Sequence, residues 1–118
     1  MLLLIFDTGQ REQVPLPAVI NLGRKPAATE PTDHVISVSD PEGTVSKTHV
    51  RLEHSRGRTW VTDQGSTNGT ELLEDDGEVI KVPAGQRAEV TDGVRVRIGN
   101  RTFTISVLVT GAPQGVQA

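Results

Sequence analysis

Apolar and polar residues alternate with a period of two in short runs along this chain, which is the pattern of strands that bury one face. The clearest runs are residues 94–98 and 103–107, and the Gly99-Asn100 turn between them predicts a hairpin. Eight further runs predict strands: Leu2–Phe6, Ala18–Leu22, Val35–Val38, His49–His54, Arg58–Thr62, Thr70–Leu73, Val79–Val82 and Arg87–Val90. The pattern therefore predicts an all-β protein, a two-sheet β-sandwich of about ten to eleven strands.

Composition supports one such domain. The 118 residues include 12 glycines and 7 prolines, which suits many turns between short strands. We expect the domain to span residues 1–110 and residues 111–118 to form a flexible C-terminal tail. The apolar opening, residues 1–6, is too short for a membrane span and lacks the basic flank of a signal peptide, so we expect no membrane insertion.

Charge and cysteine content exclude several classes of function. The formal net charge of −3 argues against a nucleic-acid binder that works by general neutralisation of phosphates. The chain has no cysteine, which excludes disulfides and thiolate catalysis and suits a reducing compartment. We therefore expect a cytoplasmic protein, in which any anion site is local.

Three clusters carry the chemistry of an anion site. They are Gly23-Arg24, then Ser46 with His49, and then Asp63 followed by residues 66–69, Ser-Thr-Asn-Gly. An arginine offers a charged guanidinium fork, serine and threonine offer hydroxyl donors, and asparagine can bond a peptide backbone. Each cluster falls at the end of a predicted strand or in the loop beside it, so together they predict a receptor for phosphate.

The order and placement of these clusters resemble the forkhead-associated (FHA) domain over roughly Leu2 to Val109. The resemblance implies an SMAD/FHA-like sandwich with binding loops at one end. It also implies a phosphothreonine-dependent peptide-binding module, an adaptor in Ser/Thr kinase signalling whose partner is a protein or peptide phosphorylated on threonine. No cofactor is implied.

The resemblance assigns roles residue by residue. The phosphopeptide-binding residues are Arg24, Ser46, Lys47, Thr67 and Asn68, of which Asn68 bonds the peptide backbone and the others hold the phosphate. Structural support of the site is assigned to Gly23, His49, Asp63, Ser66 and Gly69.

Two features depart from the family pattern, and a third position qualifies it. Lys47 stands where several relatives carry asparagine or arginine, and it can act as a point charge. The stretch between Arg24 and Ser46 has 21 residues, and we expect this length to reshape one wall of the site. Thr44 occupies a position that selects the third residue after the phosphothreonine in some relatives, and its lack of charge gives no basis for an acidic preference there.

Two other classes of function compete with this interpretation. Ser46 with His49 could be a nucleophile and its base, or His49 with Asp63 a phosphohydrolase site, but the sequence contains no nucleophile elbow. We predict no enzymatic activity. The acidic stretch 74–78 lacks the alternating oxygen ligands of a calcium loop, and His34 and His54 are isolated, so we predict no metal site. The other rival is a phosphorylation-independent adaptor that uses a face of a sheet.

Overall fold

Eleven β-strands and no helix make up residues 1–108, the part of the chain that the computed structural model describes. In chain order the strands are β1 (Leu2–Phe6), β2 (Arg11–Val14), β3 (Ala18–Gly23), β4 (His34–Ser37), β5 (Val50–Ser55), β6 (Arg58–Asp63), β7 (Thr70–Leu73), β8 (Val79–Val82), β9 (Arg87–Val90), β10 (Arg95–Ile98) and β11 (Arg101–Val107).

These strands form two sheets. Sheet A has the order β2-β1-β11-β10-β7-β8 and sheet B has the order β4-β3-β5-β6-β9. The pair β3–β4 is parallel, with Leu22 opposite Ile36, and the neighbours with a determined register elsewhere are antiparallel. The predicted all-β sandwich is confirmed, and the ten predicted strands all occur with ends within two residues of those predicted.

The eleventh strand, β2, was not among the ten predicted. Its sequence is Arg-Glu-Gln-Val, and only Val14 is buried. It pairs with β1 at the edge of sheet A, so its backbone hydrogen bonds rather than an apolar face hold it in place. A strand of this kind carries no hydrophobic alternation.

The core between the sheets is mainly aliphatic. Alternate residues of the central strands point inward, as Val50, Leu52 and Val61 do in sheet B and Val96 and Ile98 do in sheet A. The one aromatic pair in the core of the described residues is Phe6 with Phe103, whose ring centroids lie 5.1 Å apart. β-branched residues suit such a pleated, buried surface, so the low aromatic content does not prevent a packed core.

Strand register brings the candidate site to one end of the sandwich. Leu22 of β3 lies opposite Val50 of β5, and Val50 lies opposite Asp63 of β6, so β3 and β6 end where β5 begins. In sheet A the start of β7 at Thr70 lies opposite the end of β10 at Ile98. The β3–β4, β4–β5 and β6–β7 loops and the β10–β11 turn therefore share this end.

The first part of the long stretch between Arg24 and Ser46 folds over the outer face of sheet B. Asp33 accepts a 2.9 Å hydrogen bond from Arg51 of β5, and Asn21 of β3 donates one of 2.9 Å to the Ala27 carbonyl. The Arg51 hydrogen bond, with further bonds from residues 29 and 30, outweighs burial and holds the pKa of Asp33 well below its ordinary range. Much of the extra length is thus fastened to the sheet.

Two expectations remain, on the C-terminal tail and on membrane insertion. The predicted tail, residues 111–118, lies outside the described residues. Among residues 1–108 no helix has the length and apolar character to cross a membrane.

Candidate functional site

A depression of about 380 Å³ lies among the loops at this end of the sandwich. All five predicted binding residues line it, together with the segment Gly43-Thr44-Val45: Arg24, Ser46, Lys47, Thr67 and Asn68. The lining residues carry no carboxylate, whereas they include a guanidinium, an ammonium and three hydroxyls. The chemistry of this surface is therefore that of an anion receptor.

Gly23 is needed because two chain segments almost touch beside it. A Cβ built on Gly23 would stand 1.9 Å from the Lys47 carbonyl oxygen and 2.8 Å from that of Ser46. The close approach lets the Arg24 amide donate to the Ser46 carbonyl at 2.9 Å and the Lys25 amide donate to the Lys47 carbonyl at 3.0 Å. The end of β3 and the β4–β5 loop are thus held together at the base of the depression.

The Arg24 side chain is oriented by a backbone carbonyl. Its Nε donates a 3.2 Å hydrogen bond to the Val45 carbonyl, and Arg24 lines the depression. A guanidinium has five N–H donors, so four on the two terminal nitrogens remain for a ligand. These donors have the chemistry that bidentate binding of a phosphate uses.

Ser46 links the two loops that form the depression. Its Oγ accepts a 3.0 Å hydrogen bond from the Thr67 amide, and its own amide donates to His49 Nδ1 at 3.0 Å. Because a hydroxyl can accept and donate at once, the Ser46 proton remains available to a ligand. The same bond holds the Thr67 backbone beside the Ser46 hydroxyl.

His49 is fully buried and has a defined tautomer. Its Nδ1 accepts from the Ser46 amide, so the proton is on Nε2, which donates to the Gly69 carbonyl at 2.8 Å. Burial lowers the pKa of His49 and outweighs the opposing effects of Gly69, Asp63 and Asp40. The neutral ring therefore connects the β4–β5 loop to the β6–β7 loop.

Asp63 organises the β6–β7 loop. Its carboxylate accepts hydrogen bonds from the Gly65 and Ser66 amides at 3.0 Å and from the Ser66 and Thr70 hydroxyls at 2.6 Å. Burial alone would raise the pKa of Asp63, but the bonds from Ser66 and Thr70 outweigh it, so the pKa is lowered. Ser66 Oγ in turn accepts from the Gly69 amide at 3.0 Å, which closes the turn.

Asn68 bonds the neighbouring loop as well as facing the depression. Its Nδ2 donates to the Thr44 carbonyl at 2.8 Å, which leaves one N–H and the carbonyl oxygen of the amide for a ligand. Thr44 and Asn68 also line a second depression of about 270 Å³, with Glu71, Lys81 and Arg97 on its far side. The two depressions are therefore neighbours across the Asn68–Thr44 bond.

One expectation changes in the light of this geometry, and two groups of the site are new. The long stretch after Arg24 contributes to the wall only through residues 43–45, because residues 25–33 do not line the depression. Sequence reasoning did not find the two carbonyls, of Thr44 and Val45, that orient Asn68 and Arg24. Every residue has a carbonyl, so no signal in residue types identifies them.

The alternative of catalysis by His49 and Asp63 finds no support in their environment. Their side chains are 0% and 2% exposed, and both ring nitrogens of His49 are engaged in hydrogen bonds with the backbone. A general base must reach the proton that it removes. Within residues 1–108 there is also no group of three or more histidine, cysteine, aspartate or glutamate side chains able to hold a metal ion.

The loops at one end of the β-sandwich thus gather an arginine, a lysine, hydroxyl donors and an asparagine around one depression. The sequence profile of the FHA domain matches residues 20–99, about two thirds of the chain, and this range contains every candidate site residue. The protein belongs to the FHA domain family. No curated protein sequence matches it significantly.

Solved structures of low sequence identity share the fold. The FHA domain of CT664 protein from Chlamydia trachomatis has 18% identity and a TM-score of 0.70, with 92% of this chain and 98% of that chain covered. The FHA domain of human APLF, in complex with XRCC1 bisphospho peptide, has 16% identity, a TM-score of 0.67 and coverages of 91% and 98%. The N-terminal FHA domain of S. cerevisiae Rad53p, in complex with a phosphothreonine peptide, has 20% identity, a TM-score of 0.65 and coverages of 91% and 93%.

Proposed function

We propose that this protein is a phosphothreonine-dependent binding module without enzymatic activity, which acts as an adaptor for proteins phosphorylated by a Ser/Thr kinase. The observation that carries this proposal is the depression whose lining has cationic and hydroxyl donors and no carboxylate. Membership of the FHA family supports it, as does the phosphothreonine peptide bound to the Rad53p domain.

In this proposal the phosphate is held by Arg24, Ser46 and Thr67, with Lys47 as an additional positive charge. The internal hydrogen bonds of the site leave the terminal nitrogens of Arg24 and the Ser46 proton available, and a phosphate offers only acceptors to them. Asn68 bonds the peptide backbone with the capacity that remains after its bond to Thr44. Gly23, His49, Asp63, Ser66 and Gly69 keep the loops in this arrangement.

Recognition by a sheet face has less support. The large exposed hydrophobic residues of the described region are Val35 on β4, Val79 and Ile80 on β8, and Val107 on β11. The strands β4 and β8 are edges of different sheets, so these residues do not form one contiguous apolar face.

The test is a calorimetric titration with a degenerate phosphothreonine peptide pool, beside its phosphoserine and unphosphorylated versions. We expect heat with the phosphothreonine pool alone. Charged hydrogen bonds are worth about 1.5 to 3 kcal/mol, so Arg24→Ala should weaken binding by roughly one to two powers of ten. The matched control is Arg11→Ala, which removes an exposed arginine on β2 and should leave binding unchanged.

The outcomes separate the classes of function. Equal binding of the phosphorylated and unphosphorylated pools would replace the proposal with the sheet-face adaptor. Release of inorganic phosphate from the peptide by the purified protein would contradict the absence of enzymatic activity.

A further inference from the structure

Asp40 is a buried carboxylate directly behind the wall of the depression. It lies between β4 and β5, and its side chain is 0% exposed. Its Oδ2 accepts hydrogen bonds from the Val45 amide at 2.7 Å and from the Thr44 hydroxyl at 3.2 Å. One carboxylate oxygen therefore fixes two successive residues of the wall.

The segment that Asp40 fixes is the one that orients the candidate binding side chains. The Val45 carbonyl accepts from Arg24 Nε at 3.2 Å, and the Thr44 carbonyl accepts from Asn68 Nδ2 at 2.8 Å. The Thr44 hydroxyl also accepts a 2.8 Å bond from the Asn100 amide in the β10–β11 turn. A shift of this segment would move Arg24 and Asn68 together.

A negative charge behind a phosphate receptor needs compensation. Asp40 Oδ1 lies 3.9 Å from Arg101 Nε, and within residues 1–108 neither atom has a hydrogen-bond partner. Arg101 also approaches Asp7 at 3.8 Å and Glu42 at 3.3 Å. Because a buried carboxylate is costly to desolvate even when it is paired, its presence at this point calls for a local role.

We propose that Asp40 is a positioning residue of the phosphopeptide site, which sets the orientation of Arg24 and Asn68 through the Val45 and Thr44 backbone. The proposal rests on the proposed function. Asp40 does not line the depression, so it acts through these residues and not by contact with the ligand.

The test compares three substitutions, using the tightest-binding peptide from the phosphothreonine pool. Asp40→Ala removes the acceptor and should weaken binding by roughly tenfold, the effect of losing one charged hydrogen bond. Asp40→Asn keeps an acceptor for the Val45 amide and should stay within about threefold of the wild type. Asp92→Ala removes an exposed carboxylate between β9 and β10 and should bind like the wild type.

A double-mutant cycle distinguishes positioning from general stability. If Asp40 acts partly through Arg24, Asp40→Ala should weaken binding less in an Arg24→Ala background than in the wild type. The Arg24 Nε–H group is hydrogen-bonded in the wild type. Its NMR chemical shift should change in Asp40→Ala and stay at the wild-type value in Asp40→Asn.

The outcomes are distinct. Unchanged affinity of a folded Asp40→Ala variant would overturn this inference and leave the proposed function intact, whereas failure of the wild type to bind any phosphothreonine peptide would overturn both. If Asp40→Ala does not fold, Asp40→Asn decides the matter, because a loss of more than about tenfold despite the retained acceptor would contradict the proposed route.

Discussion

The substitution Gly23→Ala tests whether the close approach behind Arg24 is as tight as the structure indicates. Gly23 does not have a positive φ, so alanine is compatible with its backbone conformation and the effect of the new methyl group is steric. The added Cβ would stand 1.9 Å from the Lys47 carbonyl oxygen. A carbon–oxygen contact needs about 3.3 Å, so the segment 46–47 would have to move by roughly 1.4 Å.

Such a movement breaks the hydrogen bonds that join the two segments. The bonds from the Arg24 and Lys25 amides are 2.9 and 3.0 Å long and would be stretched beyond bonding range. Each contributes about 1 kcal/mol, and overpacking of a tight contact costs about 1 to 3 kcal/mol. We expect a loss of about 3 to 5 kcal/mol in the free energy of unfolding, which corresponds to roughly 12 to 20 °C in Tm for a domain of this size.

The assay is thermal unfolding followed by circular dichroism, with peptide titration at a temperature where the variant is folded. Affinity should fall at least tenfold, because Arg24 and Ser46 are displaced together. The control is Gly57→Ala in the β5–β6 turn, where the φ of +77° is unfavourable for alanine but a Cβ meets nothing within 4 Å. It should cost about 1 kcal/mol without affecting binding. A Gly23→Ala variant no less stable than Gly57→Ala would refute the steric argument.

Three further predictions concern other parts of the molecule. Burial lowers the pKa of His49 and His54 in the folded protein. Because the unfolded chain therefore takes up protons at a higher pH, the free energy of unfolding should fall as the pH drops below about 6.5. A urea midpoint that is the same at pH 7.5 and pH 5.5 would contradict this. Arg51→Met removes the cation that Asp33 binds, so it should lower the midpoint of urea unfolding and raise the amide hydrogen exchange of residues 25–33. Unchanged exchange would show that this bond does not hold the loop. Lys81→Glu reverses a charge in the second depression. In selection from a phosphothreonine peptide library, it should enrich basic residues near the phosphothreonine by roughly two- to fivefold. An unchanged selection would contradict a role of this depression in choosing the peptide.

Most of the strands could be predicted because they carry apolar residues at alternate or successive positions, and that pattern is visible in the residues themselves. The strand β2 could not, since Arg11 and Gln13 are exposed and its position depends on backbone bonds to β1. The path of residues 25–33 could not be predicted either. It depends on the pairing of Asp33 with Arg51, which joins residues 18 positions apart, and other arginines of the chain would be equally possible partners.

The candidate site likewise has residues that the sequence predicts and one that it does not. Arg24, Ser46 and Thr67 could be named because their side chains carry the chemistry, and the turn residues around them have characteristic types. Asp40 is followed by Pro41, Glu42 and Gly43, which in sequence is an ordinary turn. Only the fold shows that its carboxylate is buried behind the wall, because burial depends on the β10–β11 turn that packs against it.

The internal hydrogen bonds of the site hold its side chains in place before any ligand binds. The Ser46 hydroxyl accepts from the Thr67 amide, Arg24 Nε is held by Val45, and one N–H of Asn68 is held by Thr44. Each bond fixes a side chain and leaves at least one of its donors available, so binding as proposed would order few groups. Because the chain has a net charge of −3, long-range attraction does not favour an anion, so the proposed function requires that these fixed donors supply the affinity.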